Sequence, residues 1–413
     1  MYPPKTATGS DEIMWKLIIT ISLSLVSLPT AAQTVPDVLP GSIAFPKLKE
    51  MAHNSPLWPI GKEPDLSVLS SQDWKKVEAC IDRALAWLKS QQLPNGSFPA
   101  ADSGEPAITS FVVMAFLSRG HVPGQGEYGE MLNRAIDFVL AQQQADGLLY
   151  SGHIGPYYDS KEGSATATYN HAIAGLMLGE VYGMTNSERN TKVKVAIEKA
   201  LACALKMQYR HTPYEKDKHG LRYYRYLNVT GKGEADLSIT AWYVMFYRSA
   251  KNASFDVPEE HVQQAIKFVR QCYDEEAEWF LYGPYPGDAR MSRAMVGAGI
   301  LSLVISGNMN NDEKMIQHAG RYINVFPFDQ FLKPTNAYWY YSVYYCSQAT
   351  FMMGGEYWRI FYPVISKTLT ENQSLEGFWE VDKRTAFFGN SYSTALAILT
   401  LTPPYQMLPI YQR

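Results

Sequence analysis

Charge of one sign, paired cysteines and long apolar runs are all scarce in this chain, and each scarcity excludes a class of protein. The 413 residues carry 37 basic and 40 acidic side chains, a formal net charge of −3. This balance gives no electrostatic reason to expect nucleic acid or anionic lipid as a partner. The four cysteines form no Cys-x-x-Cys pair, so the sequence does not support a zinc site and we predict no bound metal.

The cysteines are Cys80, Cys203, Cys272 and Cys346. Each lies in an apolar stretch with helical spacing, which indicates a buried thiol. Their positions do not identify a disulfide pair, although a disulfide could form after export.

Several motifs of enzyme sites are also missing. There is no Gly-x-Ser-x-Gly turn for a serine nucleophile and no phosphate-binding loop. No Asp-Asp-x-x-Asp pair is present to hold magnesium against a diphosphate. The acidic run Asp274–Glu276 follows an amphipathic helix and is typical of a solvated loop. We therefore predict no cofactor, and these absences leave open whether the chain is an enzyme.

An apolar segment near the N-terminus has the layout of a secretory signal peptide. Residues Ile18 to Leu28 are apolar, Lys16 precedes them, and small residues follow up to Gln33. The run is too short to span a bilayer comfortably. We predict a signal peptide over residues 1–32, with Met14 as a candidate start, and a secreted or periplasmic chain without a stable transmembrane span. An uncleaved anchor at the membrane surface is the alternative.

The chain does contain a repeated sequence motif, which occurs at least three times and which we call the phrase. It reads Ala84-x-x-Trp87-Leu88-x-x-x-Gln92-x-x-x-Gly96, then Ala135-x-x-Phe138-Val139-x-x-x-Gln143-x-x-x-Gly147, and in part Gln373-x-x-x-Gly377-Phe378-Trp379. Self-similarity at a period of tens of residues indicates one structural unit stacked on copies of itself. Glycine permits a tight reversal and glutamine can bond to backbone groups at the next turn, so we interpret the phrase as structural.

Two series of helices alternate along the chain. The phrase lies on amphipathic helices that contain Ala84, Ala135, Ala200, Ala265, Ala319 and a last copy near residue 365. The second series is apolar nearly all round and covers residues 107–119, 166–182, 236–250, 291–306, 336–353 and 390–402. A helix that is apolar on every side must be buried on every side, whereas the amphipathic helices have one face for water.

This alternation predicts an all-α fold of about six helical hairpins, an α/α toroid with an inner and an outer ring of helices. Closing the ring covers the apolar flanks of the first and last units. We place the toroid at residues 73–413 and expect an irregular arm at 33–72 to lie over it. The tail Leu408–Tyr411 could seal the ring.

The copies Gln92-Gly96-Phe98 and Gln373-Gly377-Trp379 resemble the repeat of the squalene cyclase and protein prenyltransferase superfamily, which pairs a glutamine and a turn glycine with an aromatic residue. The resemblance covers about residues 73–402 and is closest to exported bacterial prenyltransferase and squalene oxidase repeat proteins without an assigned activity. It implies a terpenoid cyclase-like toroid. The zinc ligands of the prenyltransferases and the Cys-x-Glu-Gln thioester motif of other relatives have no counterpart here.

The cyclases of this superfamily protonate their substrate with an Asp-x-Asp-Asp-Thr-Ala motif at the start of an inner helix. The best local match is Asp236-Leu237-Ser238-Ile239-Thr240-Ala241. It keeps the first acid, but a serine stands at the proton-donating position. A cyclase needs a carboxylic acid held neutral in a dry site, which a serine hydroxyl cannot replace. Asp236, or Glu234 as a displaced acid, is the candidate for this role.

The most polar stretch near an inner helix, residues 214–236, is a second candidate site. It contains His219, Arg222, Arg225 and Tyr226 among several acids. Such a mixture could bind a sugar acid or act in general acid–base chemistry next to a carboxylate. The alternative is a surface hairpin held by ion pairs.

Three further groups could line a chamber. Tyr338, Tyr341 and Tyr345 share one helix face, and aromatic faces stack on sugars or stabilise cations. They are equally suited to filling the centre of the ring. His171 could face the chamber or be a hydrogen-bonded core residue, and Arg290 could reach the chamber mouth or help to cap a helix.

Taken together, the sequence favours a toroid that binds an apolar or aromatic-stacking ligand in its central chamber, or that serves as an interaction scaffold. A terpene cyclase with a displaced acid is the first alternative. A polysaccharide lyase or hydrolase that uses the ring cleft is the second, since export fits an extracellular glycan. The partner is therefore unknown, with an apolar or glycan ligand as the expectation.

Overall fold

The structure is a computed structural model of the whole chain. It describes residues 45–152, 166–209, 214–222, 235–285, 292–307, 309–325, 328–332, 338–383 and 385–412. Within these ranges the side chains of residues 45–48 and 102 are left aside.

The described residues form thirteen α-helices and one two-stranded hairpin, joined by loops and short 3₁₀ turns. The helices are α1 Phe45–His53, α2 Ser71–Gln91, α3 Ala107–Leu117, α4 Gly129–Ala141, α5 Ala167–Val181, α6 Ser187–Gln208, α7 Leu237–Asn252, α8 Glu259–Gln271, α9 Arg293–Ile305, α10 Glu313–Val325, α11 Trp339–Met353, α12 Gly355–Glu371 and α13 Gly389–Leu401. The strands β1 Tyr273–Asp274 and β2 Trp279–Phe280 pair antiparallel, with Tyr273 opposite Phe280.

The apolar series forms a closed inner ring. Helix α3 packs on α5, α5 on α7, α7 on α9, α9 on α11, α11 on α13, and α13 returns to α3. Every residue of α3 is buried, as expected for a helix that is apolar on all sides. Phe111 and Ala395, which would face water in an open superhelix, are 3% and 0% exposed. The predicted α/α toroid is confirmed.

The amphipathic series α2, α4, α6, α8, α10 and α12 surrounds this ring, each helix lying against the inner helices of its own and neighbouring hairpins. Outer and inner helices alternate in direction, so all inner helices begin at one end of the ring. We call that end the rim, and the end where the inner helices finish the closed end.

The repeated glutamine forms the same bridge at four places around the ring. Its side-chain amide donates to the carbonyl of the turn that follows its own helix and to a carbonyl of the next outer helix. The pairs of acceptors are Gly96 and Met131 for Gln92, Gly147 and Ala196 for Gln143, His219 and His261 for Gln208, and Gly377 and Cys80 for Gln373, at 2.8–3.3 Å. The last bridge joins the sixth hairpin to the first and closes the ring.

The contact between this turn and the next outer helix also requires the repeated glycine. A Cβ atom would lie 2.4 Å from the Arg134 carbonyl oxygen at Gly96, 2.3 Å from that of Lys199 at Gly147, and 2.6 Å from that of Arg83 at Gly377. All three glycines also have positive φ. The turn can therefore touch the next outer helix only with glycine at this position, which supports the structural interpretation of the phrase.

The N-terminal arm differs from the expectation of irregular structure over residues 33–72. Residues Phe45–His53 form helix α1, which packs on α10, and Ala52 is fully buried there. The Arg321 guanidinium donates to the His53 carbonyl at 3.3 Å. A nine-residue helix is marginal alone, so these contacts with α10 account for its formation.

All four cysteines are free and buried. Burial raises the pKa of the Cys80 thiol to about 12 and that of Cys203 to about 11, so these thiols are inert at neutral pH. In the part of the chain that the structure describes, no helix combines the length and the apolar character needed to cross a bilayer.

Candidate ligand site at the rim of the ring

The middle of the ring is filled with aromatic side chains. Trp242 of α7 lies 5.4 Å from Phe111 of α3 and stacks on Tyr344 of α11 at 5.6 Å between ring centroids. Tyr345 lies 5.2 Å from the same indole. Trp242 and Tyr345 are 0% exposed and Tyr344 is 1% exposed, which leaves no water-sized space beside them. These three side chains therefore fill the centre of the ring at this level, and the predicted ligand chamber stays a prediction for the space nearer the rim.

A network of hydroxyl groups and a carboxylate lies at the rim, centred on Asp236. This residue is the N-cap of α7, where its Oδ1 accepts from the Ile239 backbone N–H at 3.0 Å. The Ser238 hydroxyl donates to the same oxygen at 2.5 Å, and the Tyr282 hydroxyl donates to Oδ2 at 3.2 Å. A helix N-terminus favours negative charge, and in these three hydrogen bonds the oxygens of this side chain are all acceptors.

Two tyrosines from neighbouring inner helices complete this network. The hydroxyl of Tyr169, from α5, is hydrogen-bonded to the Ser238 hydroxyl. The Tyr341 hydroxyl, from α11, donates to the Ser238 carbonyl at 3.3 Å and accepts from the Trp242 indole at 3.0 Å. We call Tyr169, Asp236, Ser238, Tyr282 and Tyr341 the rim cluster. Its three tyrosines are partly exposed, so their rings are available to a ligand.

Aromatic side chains extend the rim on the α13 side. The exposed Phe387 lies 4.1 Å from Phe388, which lies 5.1 Å from Tyr392. Burial, with Asp382, Tyr341 and Tyr338 nearby, raises the pKa of the Tyr392 hydroxyl. Tyr338, Phe387, Phe388 and Tyr392 form what we call the aromatic patch. This patch therefore adjoins the rim cluster through Tyr341.

A second rim carboxylate, Asp382, lies beside the aromatic patch. Its two oxygens accept from the Thr385 hydroxyl at 2.7 Å and the Thr385 backbone N–H at 3.2 Å, and the residue is 8% exposed. No sequence motif marks Asp382, Tyr169 or Tyr282, because no spacing rule connects residues from different hairpins.

Four of the predicted site residues lie outside the described residues. They are Glu234, Arg225, Tyr226 and Arg290. Their roles remain predictions.

His171 belongs to the scaffold of the joints between hairpins. Its Nδ1 accepts from the Leu149 backbone N–H at 3.1 Å, and its Nε2 lies 3.1 Å from the Ala200 carbonyl of the outer helix α6. Thr240 and Thr394 accept from Leu221 N–H and Trp379 N–H in the same way. Complete burial lowers the pKa of His171 to about 4. Both ring nitrogens are thus used, and we do not include this residue in the site.

Two members of the polar stretch have structural partners. Arg222 and Asp217 form a buried ion pair, Nε to Oδ2 at 3.3 Å, and Asp217 also accepts from the Ala235 N–H at 3.0 Å. The pair fixes the bridge between residues 222 and 235. His219 has Lys267 of α8 among its charged neighbours, and partial burial and nearby lysines lower its imidazole pKa. Residues 223–234 lie outside the described residues, so both the polar site and the alternative of a surface hairpin stay predictions.

Two roles were open for the three tyrosines on one face of α11, namely contacting a ligand and filling the centre of the ring. The structure divides the tyrosines between the rim and the centre. Tyr345 is fully buried and fills the ring centre. Tyr341 belongs to the rim cluster, and Tyr338 is 39% exposed just before the helix begins. Tyr338 has positive φ of 57°, so the backbone turns sharply where its ring meets solvent.

Two buried glutamates were missed by sequence reasoning. Burial raises the pKa of Glu105, beside the start of α3, to about 8, while the Thr109 hydroxyl and N–H donate to its carboxyl group. Burial likewise raises the pKa of Glu180, on α5, to about 7. A charged residue inside the apolar run Leu176–Val181 was the available signal for Glu180. No group of three or more His, Cys, Asp or Glu among the described residues is arranged to hold a metal ion.

Comparisons with solved structures agree with this architecture. The type II terpene cyclase MstE of Scytonema, in complex with geranylgeranyl dihydroxybenzoate, shares 15% identity over 82% of this chain and all of that chain, with a TM-score of 0.50. An inactive variant of the α-1,6-mannanase GH76A of Salegentibacter sp., in complex with α-1,6-mannotriose, shares 10% identity over 81% of this chain and all of that chain, with a TM-score of 0.53. At these identities the similarity shows the fold alone.

No family model matches the sequence, and no curated protein matches it significantly. The chain is thus an α/α toroid of the architecture shared by a terpenoid-binding and a glycan-binding enzyme.

Proposed function

We propose that this protein binds a neutral carbohydrate chain at its rim, with cleavage of that chain as the activity to test. The observation that carries the proposal is the rim cluster, where tyrosine hydroxyls and the Asp236 carboxylate meet at the starts of three inner helices. Below it, the described side chains of Trp242, Tyr344 and Tyr345 fill the centre of the ring.

The chemistry of the rim suits a ligand rich in hydroxyl groups. Carboxylates accept from sugar hydroxyls as they accept here from Ser238, Tyr282 and Thr385. The aromatic patch offers ring faces for the apolar side of a pyranose, with Tyr338 and Phe387 exposed by 39% and 43%. A site with two acidic groups also disfavours an anionic ligand, so a neutral glycan is preferred to a uronic polymer.

One of the two solved structures compared above supports a glycan ligand but does not establish it. The mannanase complex contains α-1,6-mannotriose, and that variant, with two aspartates replaced by asparagine, is inactive. Asp236 and Asp382 are the described rim carboxylates from which a hydrolase could draw an acid–base pair. Export of the chain, predicted from residues 1–32, would bring the site to extracellular glycans. Sequencing the N-terminus of the exported protein tests that prediction.

A terpene cyclase is the second candidate, and one observation favours it. Glu105 is a buried carboxylic acid whose pKa is raised to about 8, so it is protonated at neutral pH. A neutral carboxylic acid in a dry site is what protonation of an alkene requires. Asp236 suits this role less well, because the N-terminus of α7 and three hydrogen bonds, from Ile239, Ser238 and Tyr282, favour its charged form.

Binding measurements on the full chain distinguish the two candidates. We expect calorimetry to show binding of a neutral oligosaccharide in a panel that includes α-1,6-mannotriose, and none of geranylgeranyl dihydroxybenzoate. Asp236→Asn keeps a capping oxygen at the start of α7 but removes the charge, so it should weaken sugar binding at least tenfold with little loss of stability. Asp137→Asn, on the outer helix α4, is the matched control and should bind as the natural chain does.

The proposal fails if no neutral oligosaccharide binds, or if Asp236→Asn and Asp137→Asn bind equally well. Turnover of the terpenoid that is lost in Glu105→Gln would establish the cyclase candidate instead.

A further inference from the structure

The C-terminal segment Leu408–Gln412 occupies the closed end of the ring. Its apolar side chains are buried, with Leu408, Ile410 and Tyr411 exposed by 5%, 2% and 4%. The Asn252 side chain, from the last turn of α7, donates to the Pro409 carbonyl at 3.1 Å. A five-residue tail with three buried side chains is a specific contact rather than a trailing end.

A buried carboxylate on the ring recognises the backbone of this segment. Glu180 of α5 is 1% exposed, and its Oε2 accepts from the Ile410 backbone N–H at 3.2 Å. Its Oε1 accepts from the Ser249 hydroxyl of α7 at 2.5 Å. Burying a carboxylate costs several kcal/mol unless its oxygens are hydrogen-bonded. The ring therefore carries a polar group whose hydrogen bonding depends on the tail being in place.

The side chain of Tyr411 connects the tail to the aromatic centre. Its hydroxyl lies 2.7 Å from the hydroxyl of Tyr344, which belongs to α11. Both groups are buried, so neither exchanges this partner for water without the tail moving.

From Tyr344 a continuous series of contacts reaches the rim cluster. The Tyr344 ring stacks on Trp242 with an interplanar angle of 11°. The Trp242 indole then donates to the Tyr341 hydroxyl at 3.0 Å. Close-packed interiors rearrange between discrete states rather than deforming smoothly, so a displacement of Tyr344 is passed on to the indole.

From these contacts we infer that the closed end of the ring is a binding socket for the chain's own C-terminal peptide, and that the seated peptide positions Tyr341 at the rim. The peptide acts as a built-in ligand. Through Tyr344 it holds the Trp242 indole, which orients Tyr341 of the rim cluster. Only the effect on ligand binding rests on the proposed function.

Hydrogen exchange measured by mass spectrometry on the full chain tests this inference without any ligand. Tyr411→Phe removes one hydroxyl and leaves the ring in place. It should speed exchange at least threefold in the tail, in residues 339–343 and in residues 237–241, and leave α4 unchanged. Any affinity tag belongs at the N-terminus.

Tyr405→Phe is the matched control, because the Tyr405 hydroxyl is buried without a hydrogen-bond partner among the described residues. This variant should exchange as the natural chain does. If Tyr411→Phe leaves the tail protected, or loosens the tail without changing residues 237–241 and 339–343, the inference is overturned.

A second measurement covers the case in which exchange at the rim is too slow to follow. Tyr411→Phe should weaken binding of α-1,6-mannotriose, or of whichever neutral oligosaccharide binds, about threefold, and Tyr405→Phe should not. Unchanged affinity in both variants contradicts positioning of the rim by the tail. If no oligosaccharide binds the natural chain, the proposed function fails, while the exchange result still decides the socket.

Discussion

The two ends of the ring differ in what fills them. At the rim, hydroxyl groups and a carboxylate from three inner helices meet beside partly exposed rings. At the closed end the chain's own tail is inserted, and Glu180 is satisfied by Ser249 and by the Ile410 backbone. In this structure one end of the scaffold therefore has partly exposed polar and aromatic side chains, while the other is covered by residues 408–412. Between the two ends, the described side chains Trp242, Tyr344 and Tyr345 are buried and packed against each other, so the two ends are separate surfaces at this level.

The largest expected effect comes from damaging the closed end. Ile410→Asp places a carboxylate in a buried site beside Glu180, so we expect a loss of about 4 kcal/mol in the free energy of unfolding. Met407→Asp, three residues earlier and 45% exposed, should change it by less than about 0.5 kcal/mol. Urea denaturation measures both. Equal losses would show that the tail is not inserted.

The closed end should also give a pH dependence. Burial raises the pKa of Glu180 to about 7, above its ordinary value of 4.5, so its protonated form is favoured by folding. The stability it contributes is present below about pH 4.5 and is lost as the pH rises through about 7. Glu180→Gln has no carboxyl group to titrate at this position. The free energy of unfolding of the variant, measured relative to that of the natural chain, should therefore rise by about 3 kcal/mol between pH 5 and pH 8.

The pH dependence of stability must be compared between Glu180→Gln and the natural chain, because other buried groups also titrate. Glu105 acts in the same direction, and His171, with its pKa lowered to about 4, acts in the opposite one. Both are present in the variant and in the natural chain, so their contributions cancel. A difference between the two proteins that does not change with pH would contradict the buried-carboxylate interpretation.

At the rim the expected effects are smaller on stability and larger on binding. Ser238→Ala removes the hydroxyl that links Asp236 to Tyr169, so sugar affinity should fall about fivefold while the unfolding free energy drops by about 1 kcal/mol. Ser302→Ala removes a buried hydroxyl that donates to the Ala298 carbonyl within α9, away from both the rim cluster and the tail, and should leave affinity within about twofold. Calorimetry on both variants makes the comparison, and similar losses of affinity would place the ligand elsewhere.

The smallest effect is expected at the aromatic patch. Tyr338→Ala deletes an exposed ring, so sugar affinity should fall about threefold and stability should stay within about 0.5 kcal/mol. Tyr209→Ala is the matched control, because this ring is 45% exposed beyond the outer helix α6. An equal response to the two substitutions would remove the patch from the site.

Much of the fold could be predicted from the sequence because its signals are local. The apolar run at residues 107–119 needed only the rule that a helix without a polar face is buried, and α3 covers Ala107–Leu117. The glutamine and glycine of the repeat have the structural role that their spacing indicated. Helix α1 was missed, because its stability comes from packing on α10 rather than from its own pattern.

The candidate site was predictable only in part. Asp236 and Tyr341 stood out, since each belongs to a motif within one helix. Tyr169 and Tyr282 did not, because they meet Asp236 only when separate hairpins are placed side by side. His171 is the opposite case. A polar residue on an inner helix is conspicuous in the sequence, yet its ring nitrogens contact the backbone of Leu149 and Ala200 within the scaffold.

The glutamine bridge that closes the ring has a consequence for the order of folding. Gln92 and Gln143 reach carbonyls 39 and 53 residues away, whereas Gln373 reaches Cys80 across 293 residues. Bringing together ends that far apart costs about 1.5 kcal/mol more entropy than the 53-residue joint. The other three glutamine bridges can therefore form as the chain is synthesised, while the bridge from Gln373 must wait for the sixth hairpin. Until then the apolar flank of the hairpin at each end of the incomplete ring is exposed to solvent. The nascent chain would therefore most need a chaperone before the sixth hairpin is made.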